Sequence, residues 1–217
     1  FHNKRFKLKK TFTNNLPKNS IVLQNHYFSI DNLTEILKMS QKYVALLRGI
    51  NVGGKRKLKM ADLRESVLKI GFTQVSTYIQ SGNLFFTAEE KNATILEEKL
   101  AQHLLEEYTY DIPVIIRTAE DIEKVIAQNP FPEAEDFKQL HLIFLKEKPS
   151  ETSIKDFEKL EFPSEKFKIE AQHLYVNYTD GVRNSKLSTT LIEKKLNTKA
   201  TARNWKTLLK IESLLKD

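Results

Sequence analysis

Two short runs constrain the fold of this chain most, because each is apolar at nearly every position. They are YVALL at residues 43–47 and HLIFL at residues 141–145. A strand that is apolar at consecutive positions is buried on both faces. Each run therefore predicts a central strand in a sheet that is covered on both sides.

The segment that begins with the first run has a recognisable order of elements. This order is predicted by the helical spacing of apolar residues, by strand-like runs and by a Ser81-Gly82 turn. The predicted elements are strand Tyr43–Leu47, helix Lys59–Ile70, strands Val75–Gln80 and Asn83–Ala88, helix Ala93–Tyr108 and strand Ile112–Arg117. This β-α-β-β-α-β order is typical of a ferredoxin-like fold.

The second run begins a near repeat of that order. Thr118 is expected to cap a helix that extends to about Gln128. The elements predicted after it are strand Leu140–Leu145, helix Ser153–Leu160, strands Phe167–Ala171 and Leu174–Tyr178, and helices Ser188–Leu196 and Ala202–Leu215. We therefore predict an α+β protein made of two ferredoxin-like (βαββα) halves packed together. The expected halves are residues 39–117 and residues 118–217, the second with C-terminal helices.

The first 38 residues differ from the rest. They begin with Phe, contain seven Lys or Arg against two Asp or Glu, and show little periodicity apart from a short strand-like stretch at Ser20–Ile30. We expect a disordered extension or translated upstream sequence, with Met39 as the natural start. A basic arm that binds nucleic acid is the alternative.

Composition excludes several functional classes. The chain has 217 residues, 40% hydrophobic and 29% charged, with no cysteine, so neither disulfides nor thiolate metal sites can form. No apolar run is long enough to cross a membrane. The histidines after residue 38 are widely spaced, so we expect no metal and no cofactor. We expect a cytoplasmic protein, and its oligomeric state is open.

The segment GINVGGK at residues 49–55 matches the spacing of a phosphate-binding P-loop. In a P-loop the lysine and the following Ser or Thr lie at the start of a helix. Here Arg56 follows the lysine, and four residues, Arg56 to Lys59, separate Lys55 from the first good helical position. We therefore do not expect nucleotide binding of the P-loop type.

Topology nevertheless suggests a ligand site at this loop. In a split β-α-β unit the first two strands run parallel, so the loop at residues 48–55 and the hairpin tip at residues 80–83 should converge. Arg48 would supply charge, and Gly53 and Gly54 would supply backbone amides. The further hydrogen-bonding side chains expected at this edge are those of Asn51, Gln80, Ser81 and Asn83.

A basic segment near the C-terminus is a second candidate. Residues 180–210 contain eight Lys or Arg against two Asp or Glu. On the predicted last helix, Arg203, Lys206 and Lys210 would form one stripe. Such a stripe is either solvated, or binds phosphate together with Lys186, or contacts nucleic acid.

The motifs LLRGINVGG, TYIQSGN, VIIR, NPF, HLIFL, DGVRNSKL and TARNWKTLLK occur in this order across residues 43–210. By these motifs the chain resembles an uncharacterised bacterial family, domain of unknown function 1697 (DUF1697). The resemblance singles out a first cluster at Arg48, Gly49, Asn51, Gly53, Gly54, Gln80, Ser81, Gly82 and Asn83. It singles out a second cluster at Ser185, Lys186, Thr201, Arg203, Asn204 and Trp205. It implies no established activity.

From these observations we expect a protein that binds a small anionic or polar ligand at the edge formed by GINVGG and QSGN. Ser185, Lys186, Arg203 and Asn204 are expected to contribute from the second cluster. A weak nucleic-acid-binding protein that uses the basic C-terminal face is the alternative, as is an enzyme that acts on a phosphorylated metabolite.

Overall fold

The structure is a computed structural model that describes residues 20–23, 26–29, 40–54, 56–133 and 137–216. The chain separates into two units, Phe1–Ser40 and Gln41–Asp217. In the first unit, strands Ser20–Leu23 (β1) and His26–Ser29 (β2) pair as an antiparallel hairpin. They cover most of the strand-like stretch noted in the sequence. The other predictions for residues 1–38 lie outside the described residues.

The first sheet of the second unit has the predicted ferredoxin-like topology. Its strands lie in the order β4-β5-β3-β6, and every neighbouring pair is antiparallel. The elements of this part are β3 (Gln41–Leu47), α1 (Met60–Leu68), β4 (Thr73–Tyr78), β5 (Asn83–Ala88), α2 (Ala93–Tyr108) and β6 (Val114–Thr118). Because Leu46 pairs with Asn83, the C-terminal end of β3 lies beside the start of β5.

The second sheet repeats this arrangement with the strand order β10-β7-β9-β8. The elements are α3 (Ala119–Ala127), β7 (Leu140–Leu145), α4 (Glu151–Glu158), β8 (Glu165–Glu170), β9 (His173–Tyr178), α5 (Thr189–Leu196), β10 (Ala200–Asn204) and α6 (Trp205–Lys216). The protein is therefore an α+β fold with two ferredoxin-like sheets.

Strand β10 corrects the sequence prediction. We expected a βαββα order and a helix over Ala202–Leu215, but residues 200–204 form a fourth strand that pairs with β7, and the helix starts at Trp205. Thr201 and Arg203 are buried, whereas Ala202 and Asn204 are partly exposed. This alternation has a period of two over only a few residues, and the helical pattern that follows obscures it.

Helix starts follow from the sequence. Thr118 Oγ1 accepts a hydrogen bond from the backbone N–H of Asp121 at 3.1 Å, and Asp121 Oδ2 accepts one from Thr118 N at 2.9 Å. This reciprocal capping box confirms the predicted start of α3. Ser150 caps α4 three residues before the predicted start, because its hydroxyl accepts a bond from Ser153 N.

The alternation along β3 explains how the core is divided. Tyr43, Ala45 and Leu47 pack with α1 and α2 on one face of the first sheet. Val44 and Leu46 face a central core that also receives residues from β7, β9, α3 and α6. A third cluster lies between the second sheet and helices α4 and α5. Both faces of both sheets are covered, as the two apolar runs predict, and each fully buried Leu contributes about 2 kcal/mol.

Candidate functional site

The two loops predicted to form the site do meet. We call residues 48–56 the glycine loop and residues 79–82 the hairpin loop. Asn51 Nδ2 donates a hydrogen bond to Gln80 O at 3.0 Å, which joins the two loops directly. At their base, Leu47 N donates to Gly82 O at 2.8 Å. The predicted convergence at one sheet edge is confirmed.

Asn51 closes the glycine loop on itself. Its side chain donates to Leu58 O at 2.8 Å and accepts from Leu58 N at 2.8 Å, while its own backbone N–H donates to Arg56 O. The residue has a left-handed φ of 55°, a conformation that Asn tolerates better than most residues. The amide side chain of Asn51 is therefore engaged in holding the loop in shape.

The hairpin loop is longer than predicted. Strand β4 ends at Tyr78, so Ile79 and Gln80 join Ser81 and Gly82 in a four-residue connection. Ile79 is half-exposed and has a φ of 51°, which is strained for a β-branched side chain. The sequence favoured a two-residue turn because the apolar Ile79 extends the pattern of β4.

Gly53 and Gly54 are exposed at the tip of the glycine loop. Both have positive φ angles, and a Cβ atom built on either would meet no atom within 4 Å. The backbone here is open to an approaching molecule. Helix α1 begins only at Met60, so the loop does not lead directly into a helix as a P-loop does. Lys55 lies outside the described residues.

Arg48 forms an ion pair, although not with a partner on the following helix. Its Nη2 lies 2.6 Å from Glu193 Oε2 on α5, and the two side chains are 26% and 14% exposed. The second oxygen of Glu193 accepts a hydrogen bond from Ala200 N at 2.9 Å, which fixes the carboxylate in place. Glu193 is 145 residues away from Arg48 in sequence.

Arg203 is buried and has all of its N–H groups bonded to protein oxygens. Nε donates to Asn83 Oδ1, and Nη2 donates to Leu47 O at 3.2 Å and Gly82 O at 3.0 Å. Nη1 donates to Thr201 Oγ1 and Ala202 O. These five bonds leave no N–H for a ligand. Arg203 instead connects β10 to the bases of both loops.

The environment of Arg203 is neutral. No carboxylate of the described residues forms an ion pair with it, and its oxygen partners are carbonyl, amide and hydroxyl groups. Burial lowers the pKa of Arg203 to about 10, because the charged form loses its hydration. The guanidinium is still protonated at neutral pH and is stabilised by the five acceptors.

Asn83 and Ser81 complete the base of the hairpin loop. Asn83 is fully buried, and its Nδ2 donates to Tyr78 O at 3.1 Å and to Ser81 Oγ at 3.4 Å. Asn83 Oδ1 accepts the hydrogen bond from Arg203 Nε, so both the oxygen and the nitrogen of this side-chain amide have partners. Ser81 is partly exposed, and Gln80 is exposed.

The residues of the second cluster have separate surroundings. Ser185 Oγ accepts from Leu187 N, and Asn204 Oδ1 accepts from Thr207 N, which caps α6. Lys186 is exposed and forms no ion pair with a described residue. The predicted basic stripe on the last helix is wrong at Arg203, because that residue lies on β10. Lys206 and Lys210 remain exposed on α6.

Two residues of the site were missed by sequence reasoning. Glu193 gave no signal, because it lies in an ordinary amphipathic helix. Arg56 lies in the basic stretch KRKLK, and its Nη1 is 3.5 Å from Arg48 O. Within the described ranges, no group of His, Cys, Asp and Glu side chains could hold a metal ion. No helix in the described part of the chain could cross a membrane.

Fold and site together define an α+β protein of two ferredoxin-like sheets, with a glycine-rich loop and a hairpin loop meeting at one sheet edge. The sequence matches the family model "Protein of unknown function (DUF1697)" over residues 40–175. The chain belongs to this family. Its fold is similar to that of the conserved bacterial protein SP0830 from Streptococcus pneumoniae. That chain is 28% identical, with a TM-score of 0.66 over 81% of this chain and 99% of SP0830. No curated protein matches the sequence.

Proposed function

We propose that the protein binds a small anionic ligand at the edge where the glycine loop and the hairpin loop meet. The observation that carries this proposal is that the guanidinium of Arg48 has only one partner among the described residues. Its guanidinium is partly exposed and uses only Nη2 for Glu193. Among the described residues, Nε and Nη1 have no partner, so N–H donors of a positioned guanidinium are available for a carboxylate or phosphate.

The surroundings of Arg48 support the same proposal. The partly exposed Arg56 guanidinium lies 3.5 Å from the Arg48 carbonyl oxygen, so a second positive charge lies beside the main chain of Arg48. The open backbone at Gly53 and Gly54 allows an anion to approach main-chain amides without a side chain in the way. Arg203 and Asn83 act beneath the site, where they hold the loops in position.

Isothermal titration calorimetry with inorganic phosphate tests the proposal. We expect saturable binding that Arg48→Met and Arg56→Met each weaken by about tenfold, equivalent to about 1.4 kcal/mol. Arg183→Met is the matched control, since Arg183 is an exposed arginine that no contact connects to the loops. Circular dichroism would establish that each variant is folded.

Equal phosphate affinity in the wild-type, Arg48→Met and Arg56→Met proteins would refute the proposal. So would a complete lack of phosphate binding by the wild-type protein at concentrations up to about 10 mM. Binding that Arg183→Met weakens as much as Arg48→Met would show only nonspecific attraction to positive charge.

A further inference from the structure

A concave region whose lining includes Glu193 but no residue of the two loops lies beside α5. It is an open cleft of about 500 Å³ between α5, the turn that leads into β10, and the segment after β7. This volume lies in the range of about 300–1,000 Å³ that is usual for small-molecule sites. The residues that line it are polar or charged, and none is aromatic or a large aliphatic.

Four residues of the cleft offer groups without internal partners. Lys194 and Lys199 are exposed, and neither forms an ion pair with any described residue. Thr190 and Asn197 also line the cleft, and the structure gives their side chains no hydrogen bond within its described part. Two ammonium groups, a hydroxyl and an amide therefore face the same space.

Two carboxylates add acceptors at the other side of the cleft. Glu147 Oε2 accepts a hydrogen bond from Thr198 Oγ1 at 2.6 Å, which leaves Oε1 without a partner among the described residues. Glu193 also lines the cleft, and its charge is already balanced by Arg48. The unpaired charge of Glu147 opposes one of the two lysines, so Lys194 and Lys199 still leave the lining with a net positive charge.

This combination restricts the class of ligand. Carboxylate and amide groups are suitable acceptors and donors for several hydroxyl groups, while the free lysines suit an anionic substituent. A nucleobase would find no aromatic side chain on which to stack. An apolar ligand would find little apolar surface.

We propose that this cleft binds a small polyhydroxy compound that carries one anionic group, as a sugar phosphate or a sugar acid does. The anionic group lies against Lys194 and Lys199, and hydroxyl groups bond to Glu147, Thr190 and Asn197. This site is separate from the phosphate site at the loops. The two are neighbours because Glu193 lines one and holds Arg48 of the other.

Calorimetric titration of the full chain with glucose 6-phosphate tests the proposal, with gluconate, glucose and inorganic phosphate as comparison probes. Glucose 6-phosphate or gluconate should bind at least about tenfold more tightly than glucose or phosphate. Lys194→Met and Thr190→Val should each weaken that binding by about tenfold. Lys195→Met is the matched control, because Lys195 is an exposed lysine on α5 that does not line the cleft.

The two anionic probes distinguish a phosphate from a carboxylate as the preferred group. Arg56→Met separates this proposal from the previous one, since it should weaken phosphate binding at the loops but leave glucose 6-phosphate binding in the cleft unchanged. If glucose 6-phosphate binding falls in Arg56→Met and persists in Lys194→Met, the cleft proposal is wrong and the loop site stands. Affinities for glucose 6-phosphate and gluconate no higher than those for glucose and phosphate would also overturn it.

Discussion

Gly82 is the residue whose replacement should most clearly reveal how the two loops are held. It has a φ of 83°, and a Cβ atom built on it lies 2.8 Å from Leu47 Cβ, 3.0 Å from Leu47 O and 3.2 Å from Ile50 Cδ1. Its carbonyl oxygen accepts hydrogen bonds from Leu47 N and from Arg203 Nη2. Gly82→Ala therefore perturbs the backbone conformation, the packing and two hydrogen bonds at once.

These contributions add up to a large loss of stability. The left-handed conformation costs an alanine about 1 kcal/mol, and overpacking at a tightly packed position costs about 1–3 kcal/mol. Displacement of the carbonyl weakens its hydrogen bonds by about 1 kcal/mol. We expect Gly82→Ala to lower the free energy of unfolding by about 4 kcal/mol, a large fraction of the about 5–15 kcal/mol that is usual for a domain.

Gly53→Ala is the matched control. Gly53 also has a positive φ, at 59°, but its Cβ would meet no atom within 4 Å. Only the backbone contribution of about 1 kcal/mol remains. Urea unfolding followed by circular dichroism measures both variants. If Gly82→Ala is no more destabilising than Gly53→Ala, the close approach of Gly82 to Leu47 does not hold the loops together.

Three further predictions concern buried or paired charges. Arg203→Met removes every donor to Asn83 Oδ1 and should destabilise the protein by about 3 kcal/mol in urea unfolding, whereas a loss below about 1 kcal/mol would contradict the linking role. A double-mutant cycle with Arg48→Met and Glu193→Gln should give a coupling energy of about 1 kcal/mol, and additive effects would show that the ion pair contributes nothing. Burial lowers the pKa of His173 from 6.5 to about 4. As the pH drops from 6.5 towards 4, this histidine is protonated in the unfolded chain but still neutral in the folded protein, so the free energy of unfolding should fall. His173→Leu should show a shallower loss over that pH range, and an unchanged pH profile would contradict this role.

The sequence predicts most of the fold because its strongest patterns are local. The runs around Val44 and Ile143 are apolar on both faces, and both strands occupy central positions in their sheets. Strand β10 was missed because burial alternates over only four residues, 201–204, before a strongly amphipathic helix begins. Its formation depends on pairing with β7, and local propensity does not encode that pairing.

The meeting of the two loops was predictable, but the partners of their charged residues were not. Convergence of the glycine loop and the hairpin loop follows from the topology of a split β-α-β unit. The partner of Arg48 does not, because Glu193 is brought close only by the packing of the two sheets. Placing Arg203 on a helix would expose it in a basic stripe, whereas placing it on β10 buries it against Asn83. One error in secondary structure thus changed the inferred role of a charged residue.

Three arginines connect the two halves of the fold. Two of them belong to the first half and contact the second, and one belongs to the second half and contacts the first. Arg48 follows β3 of the first sheet and pairs with Glu193 beside the second. Arg117 on β6 of the first sheet donates to Leu145 O of the second at 3.1 Å, with the buried carboxylate of Glu97 at 3.8 Å. Arg203 on the second sheet donates back to the loop bases of the first. Desolvation raises the pKa of Glu97 and lowers that of Arg117.

This linking role explains part of the sequence resemblance without a ligand. Asn51, Gly82 and Arg203 are each required by a contact within the protein. That explanation does not extend to Gly53 and Gly54, because a Cβ atom at either position would meet no atom within 4 Å. A positive φ alone does not demand glycine here, since seven other described residues of this chain adopt one. We therefore infer that the glycine pair keeps the main chain of the loop tip accessible, which is consistent with the ligand site proposed there.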